Sequence, residues 1–250
     1  MFESYVNLNV ESNIGFIEFF TPSHNALPSN MLHQLVEVIE RAGNDQSVKI
    51  IVLKSGGDRT FCAGASFDEL KTIDSMEKGK DFFSGFANVI NAMRKCPKLI
   101  IGRVQGKAVG GGVGLIAATD YCLATQYASL KLSELSIGIG PFVIAPAIER
   151  KAGLAALSEL TLNCTQFYSA EWAKNKSFFA NVFEDVNSLD QAVWELATNL
   201  SSYNPEALKA MKVAFWSNTE HWETLLIERA ETSGRLVLSE FAKNFLGNKS

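Results

Sequence analysis

Hydrophobic and polar positions alternate with two different periods along this chain, and the change of period marks its elements. Near the start, Tyr5-Val6-Asn7-Leu8-Asn9-Val10 and Ile14-Gly15-Phe16-Ile17-Glu18-Phe19-Phe20 alternate with a period of two around Ser12-Asn13. That is the pattern of two strands joined by a hairpin turn. After Pro28, the apolar positions Met31, Leu32, Leu35, Val36 and Ile39 recur at helical spacing, with Ser29 as the expected N-cap and Gly43 as the stop. Lys49-Ile50-Ile51-Val52-Leu53 and Leu99-Ile100-Ile101-Gly102-Arg103-Val104 are short, nearly all-apolar runs, which suit buried parallel strands. A helix is expected between them over 76–93. Strands alternating with helices predict an α/β domain whose sheet is covered by helices.

From Ser169 onward the pattern is mostly helical, over 170–176, 189–200, 205–216 and 221–245. Pro205 is suited to a first helical position. Leu225, Leu226, Leu236, Val237, Leu238 and Phe241 give the last segment more apolar surface than a lone helix can bury, so it must pack on the core or on a neighbouring subunit. The expected organisation is a core over 1–190 with a helical C-terminal region over 191–250.

Composition narrows the function classes. The chain has 250 residues, and 23 basic against 27 acidic side chains leave a net charge of −4. That argues against a nucleic-acid binder, which needs a clustered basic face. No apolar run approaches the roughly 18 residues of a membrane span. The N-terminal stretch lacks the basic start and apolar core of a signal peptide, so a cytoplasmic protein is expected. Cys62, Cys96, Cys122 and Cys164 are widely separated and the three histidines scattered, which predicts free thiols and no metal site.

Two glycine-rich turns carry the candidate chemistry. Phe61-Cys62-Ala63-Gly64-Ala65-Ser66 follows the first buried strand, and Gly110-Gly111-Gly112-Val113-Gly114 follows the second and opens a helix running to about Thr119. Backbone N–H groups in such turns can approach a ligand closely. In the second turn they also lie at a helix N-terminus, which favours negative charge. Together the turns could form an oxyanion hole for a thioester or carbonyl oxygen as it becomes an enolate, although glycines also serve tight turns and close packing. A competing pattern is present. Gly112-Val113-Gly114-Leu115-Ile116-Ala117, with Glu134 about 20 residues later, outlines a dinucleotide fingerprint. It leaves the first turn without a role, and Ser66 only half fits a nucleophile elbow.

With both turns in view, the sequence resembles the crotonase superfamily, the enoyl-CoA hydratase/isomerase family. His24-Asn25-Ala26-Leu27, Phe61 through Leu70, Pro97 through Asp120 and Ser169-Ala170-Glu171-Trp172-Ala173 are similar to that family's motifs in the same order. The resemblance implies a spiral of ββα turns with a helical C-terminal trimerisation region, a homotrimer or dimer of trimers, and acyl-CoA thioester substrates without a further cofactor. It implies that the N–H groups of Ala65 and Gly111 form the oxyanion hole and that Ala63 lies along the CoA arm. Ser66, Gly112, Gly114 and His24 fall at substrate-binding positions, His24 standing where many relatives have a basic residue.

One departure shapes the expected chemistry. Family hydratases with two glutamates carry one shortly after the triple glycine, where this chain has Gly114, and a second at the position of Glu134. Hydration conveniently uses two carboxylates, whereas shifting a double bond needs one base that removes a proton and returns it elsewhere. Glu134, between Leu132 and Leu135, is expected to be a desolvated proton shuttle of raised pKa, against the alternative of a solvated carboxylate. The expected activity is 3-enoyl-CoA to 2-enoyl-CoA isomerisation. Enoyl-CoA hydration or silent acyl-CoA binding are the alternatives. Ile137 through Phe142 is expected to shape the acyl pocket, and Asp120 to be structural.

Overall fold

The computed structural model describes residues 3–247. Strands β1 (Tyr5–Glu11) and β2 (Ile14–Phe20) pair antiparallel about Ser12 and Asn13. Both turn residues have positive φ, +50° and +64°, as a two-residue hairpin turn matching the strand twist requires. Helix α1 (Ser29–Asn44) buries Met31, Leu32, Leu35, Val38 and Ile39 along one stripe. Its expected cap is different. Pro28 holds the N-cap position, and Ser29 donates its N–H and its hydroxyl to Glu69 Oε2 at 2.9 and 2.8 Å. A carboxylate 40 residues away thus satisfies one of the helix's orphan donors.

A repeated unit then builds two sheets. Strand β3 (Ile50–Ser55) enters the larger sheet, β4 (Thr60–Cys62) the smaller, and helices α2 (Phe67–Lys71) and α3 (Met76–Lys95) follow. Strands β5 (Ile100–Val104) and β6 (Lys107–Val109) repeat the step before α4 (Gly111–Ala118). Strands β7 (Tyr121–Thr125) and β8 (Ser129–Lys131) repeat it before a 3₁₀ turn at Glu134–Ile137 and helix α5 (Ala145–Leu162). Each turn of this ββα spiral adds one parallel strand to each sheet. With β9 (Tyr168–Ser169), α6 (Ala170–Asn175) and β10 (Asn181–Phe183), the sheet orders become β1-β2-β3-β5-β7-β10 and β4-β6-β8-β9.

Helices cover both faces of the larger sheet. One face meets α1 and α3 through a core that includes Ile17, Ile51, Leu53, Phe86 and Ile100. The other meets α7 (Val186–Ser201), whose Leu189, Val193 and Ala197 pack on Ile14, Ile50, Val52 and Ile101. The expected division at 190/191 therefore falls inside a helix that belongs to the sheet's packing. Helix α8 (Pro205–Phe215) begins on Pro205, with Asn204 capping Glu206 N–H. The long final helix predicted over 221–245 is two, α9 (Trp222–Val237) and α10 (Glu240–Gly247). The Ser239 hydroxyl accepts from Ala242 N–H and starts the second.

Buried polar contacts tie the helical region to the spiral. Asp120, at the start of β7, accepts from Lys212 Nζ at 2.7 Å, Trp216 Nε1 at 2.7 Å and Ile100 N–H at 2.7 Å. The side chains of Lys212 and Asp120 are only 3% and 4% exposed. The expected structural role of Asp120 is visible in these bonds. Helix α9 crosses α3 with Gly79 against Gly234, where a Cβ on Gly79 would lie 2.7 Å from the Gly234 Cα. Only glycine permits that approach.

Candidate active site

A cavity of about 460 Å³ opens where the two glycine turns meet. Both turns enter it at the ends of small-sheet strands, because the spiral places β4 beside β6. Gly64 has φ +89°, and a Cβ there would stand 2.9 Å from Val109 O and 3.5 Å from Gly111 N, so a side chain would push the turns apart. Leu27 bonds the first turn on both sides, donating to Gly64 O at 2.8 Å and accepting from Ser66 N–H at 3.2 Å. That parallel bridge directs the intervening Ala65 N–H away from Leu27. Gly111 is the first residue of α4, so its N–H has no acceptor inside the helix. Among the described residues no backbone carbonyl takes either amide. Ala63, Ala65 and Gly111 all line the cavity.

Glu134 faces these turns. A Cβ on Gly110, whose φ is +53°, would lie 2.7 Å from Glu134 Oε1, so the carboxylate rests against the bare backbone of the second turn. Glu134 Oε2 is buried with no hydrogen-bond partner. Burial pushes the pKa up from 4.5 to about 7, opposed by the N–H groups of Glu134 and Ser133. The flanking leucines do not supply that environment equally, since Leu135 is 44% exposed while Leu132 is buried. The desolvation comes from the depth of the carboxylate in the cavity wall.

At Gly114, where the resemblance implies a second carboxylate in hydratases, the space is filled. A Cβ on Gly114 would lie 2.4 Å from Ile144 Cγ2 and 2.8 Å from its Cβ. Ile144 also lines the cavity with Val143, Phe82, Phe83 and Phe86, making an apolar wall. Ile137, Ile139, Gly140, Pro141 and Phe142 complete it, so the segment expected to shape the acyl pocket is part of its lining.

Four sequence candidates have other places. Gly112 backs onto the first turn, where a Cβ would lie 2.4 Å from Cys62 O. Gly114 packs against Ile144, and Ser66 caps α2 by accepting Glu69 N–H at 3.3 Å. His24 is exposed at φ +55° in the turn before Asn25. None of the four is among the cavity-lining residues. The dinucleotide reading fails on the same geometry, since a pyrophosphate cannot approach glycines packed against Cys62 and Ile144.

Sequence reasoning missed Asn25 as a positioning group. Its side chain accepts Thr21 N–H at 2.9 Å and donates to Gly56 O and Thr60 O, both at 2.8 Å. It thereby clamps the loop leading into the first turn. Cys62 is not a nucleophile candidate, because full burial pushes its thiol up to about 12. All four cysteines are free. Among the described residues no cluster of His, Cys, Asp or Glu could hold a metal ion, and no helix is long and apolar enough to cross a membrane.

This architecture recurs in known proteins. An enoyl-CoA hydratase from Bacillus halodurans superposes with a TM-score of 0.90 at 20% identity, over 98% of this chain and all of that one. By sequence, the peroxisomal Delta(3,5)-Delta(2,4)-dienoyl-CoA isomerase of Arabidopsis thaliana is 28% identical over 239 residues, covering 87% of this chain and 84% of that protein. A probable enoyl-CoA hydratase of Bacillus subtilis is 26% identical, over 95% of this chain and 92% of that one. The enoyl-CoA hydratase/isomerase family profile matches residues 9–242. The paired turns, the ββα spiral and this match over nearly the full length make the chain a member of the enoyl-CoA hydratase/isomerase family, a crotonase-fold family that acts on acyl-CoA thioesters.

Proposed function

We propose that the chain is an enoyl-CoA isomerase that moves a double bond from C3 to C2 with one carboxylate, Glu134, as acid and base. One observation carries this reading: a buried carboxylate with an unpartnered oxygen faces the paired turns, while Ile144 occupies the space a second carboxylate would need. In this account Ala65 and Gly111 donate their N–H groups to the thioester oxygen, and Ala63 borders the CoA arm. Glu134 takes a proton from C2, and the electron pair of that bond spreads over a dienolate ending on the thioester oxygen. The two amides stabilise that charge. Protonated Glu134 then returns the proton to C4, leaving the double bond between C2 and C3 and the carboxylate regenerated.

The reaction needs no cofactor beyond the CoA of its substrate. A homotrimer is the proposed assembly, supported by the apolar surface that Leu154, Leu162, Val213 and Phe241 leave exposed. The test is the appearance of conjugated 2-enoyl thioester absorbance from a 3-enoyl-CoA. Glu134→Gln is expected to slow it by about 10²–10⁴ while the thioester still binds. Full turnover in that variant would remove Glu134 from the mechanism.

A further inference from the structure

Besides Glu134 and three serines, the cavity lining carries one charged side chain, a lysine that stands without a counter-ion. Lys131 ends β8 and lines the cavity with Phe167. Its register partner on β6 is Val109, and Lys107 pairs with Ser129. Alternation along these strands puts Leu130 and Ala108 in the core and leaves Lys107, Val109 and Lys131 on the opposite face of the small sheet. Both ammonium groups converge on the Phe167 ring, each 5.2 Å from its centre. Among the described residues neither lysine has a carboxylate within ion-pair distance, although nine other ion pairs form in the chain. Lys131 in the cavity lining and Lys107 outside it, each set over the Phe167 ring and neither paired with a carboxylate, offer positive charge to an anion brought by the ligand.

We infer that Lys131, supported by Lys107, recognises a carboxylate at the far end of the acyl chain, so that the preferred substrates are short alkenedioyl-CoA thioesters rather than simple enoyl-CoA. The inference rests on the acyl-CoA reading of the cavity and adds its substrate class. Position separates an acyl carboxylate from the phosphates of CoA. The Lys131 carbonyl accepts Gly110 N–H at 2.9 Å, which anchors the residue beside the turn proposed to hold the thioester oxygen. Along the ligand, the whole pantetheine arm separates the CoA diphosphate from that oxygen, more bonds than a lysine side chain spans. A carboxylate a few carbons along the acyl chain falls within its range.

The test compares equilibrium binding of adipyl-CoA and hexanoyl-CoA, saturated thioesters of equal chain length that bind without reacting. The expected result is a preference of about 10- to 100-fold for adipyl-CoA, collapsing towards unity in Lys131→Met, kept in Lys131→Arg and reduced in Lys107→Met. Lys107 is exposed, so its variant reads the site even if Lys131→Met disturbs folding. Equal affinities in the unaltered protein overturn the inference. So does a Lys131→Met variant that weakens both thioesters by the same factor, the signature of a phosphate contact or a structural role. Binding of neither thioester would instead bring down the acyl-CoA reading itself.

Discussion

Replacing Glu134 by glutamine should make the protein more stable, but only at high pH. The carboxylate pKa is about 7 in the folded chain against an ordinary 4.5, with burial as the cause. Between those values the native state holds a proton that the unfolded chain has released, so wild-type stability falls as pH rises from 4.5 towards 7 and stays reduced above it. That difference corresponds to about 3 kcal/mol. Solvent reaching Glu134 through the cavity mouth lowers it, leaving about 1–3 kcal/mol. Glutamine is neutral throughout and escapes the cost. Urea unfolding of both proteins at pH 4 and pH 8.5 should therefore show similar stabilities at the lower pH, and a variant about 1–3 kcal/mol more stable at the higher. A difference independent of pH, or a variant less stable at pH 8.5, would show that Glu134 is not desolvated. Its fitness as a proton shuttle would then have no physical basis.

Other outcomes follow from the same geometry. As the base, Glu134 must be ionised, so log kcat/KM should rise with pH to a plateau above about 7 and lose that inflection in Glu134→Gln; a flat wild-type profile from pH 5 to 9 would contradict it. Gly114→Ala forces a Cβ to within 2.4 Å of Ile144 Cγ2 and should cost about 1–3 kcal/mol by urea unfolding, with a smaller cost in an Ile144→Ala background, which lacks that Cγ2. Asp120→Asn leaves Lys212 charged and buried without its partner, and should cost about 3–5 kcal/mol; a loss below about 1 kcal/mol would mean that this ion pair does not hold α8 to the sheet.

What was legible in the sequence divides along physical lines. The hairpin, the buried parallel strands and the two glycine turns each follow from local rules, because period, turn chemistry and backbone freedom are written within a few residues. Glu134 became readable as a candidate base only through its position after both turns, since an acidic residue beside two leucines has no local signature of burial. The part of the cavity wall that α3 supplies was hidden. Phe82, Phe83 and Phe86 sit on α3 with the spacing of any core stripe, and only the Gly79–Gly234 crossing and the path of α4 decide that they border a cavity. Ile144, filling the space beside Gly114, is 30 residues away from it. The cap of α1 by Glu69 and the clamp of Asn25 across to Thr60 are likewise long-range, as is the Lys107–Phe167–Lys131 cluster. The break between α9 and α10 was masked by the continuous apolar run of Leu236, Val237 and Leu238, although Ser239 provides the second helix with its cap.

The central claim is proton transfer by a single carboxylate without addition of water. Mass spectrometry of a 3-enoyl-CoA incubated with the protein in D2O tests it most directly. The expected result is conversion to the 2-enoyl isomer, seen as conjugated thioester absorbance, with no product heavier by one water, with deuterium gained only as far as protonated Glu134 exchanges with solvent before returning its proton, and with loss of conversion in Glu134→Gln. A product that has gained one water would contradict it, showing that a group other than a second carboxylate activates water beside Ile144 and that the chain is a hydratase.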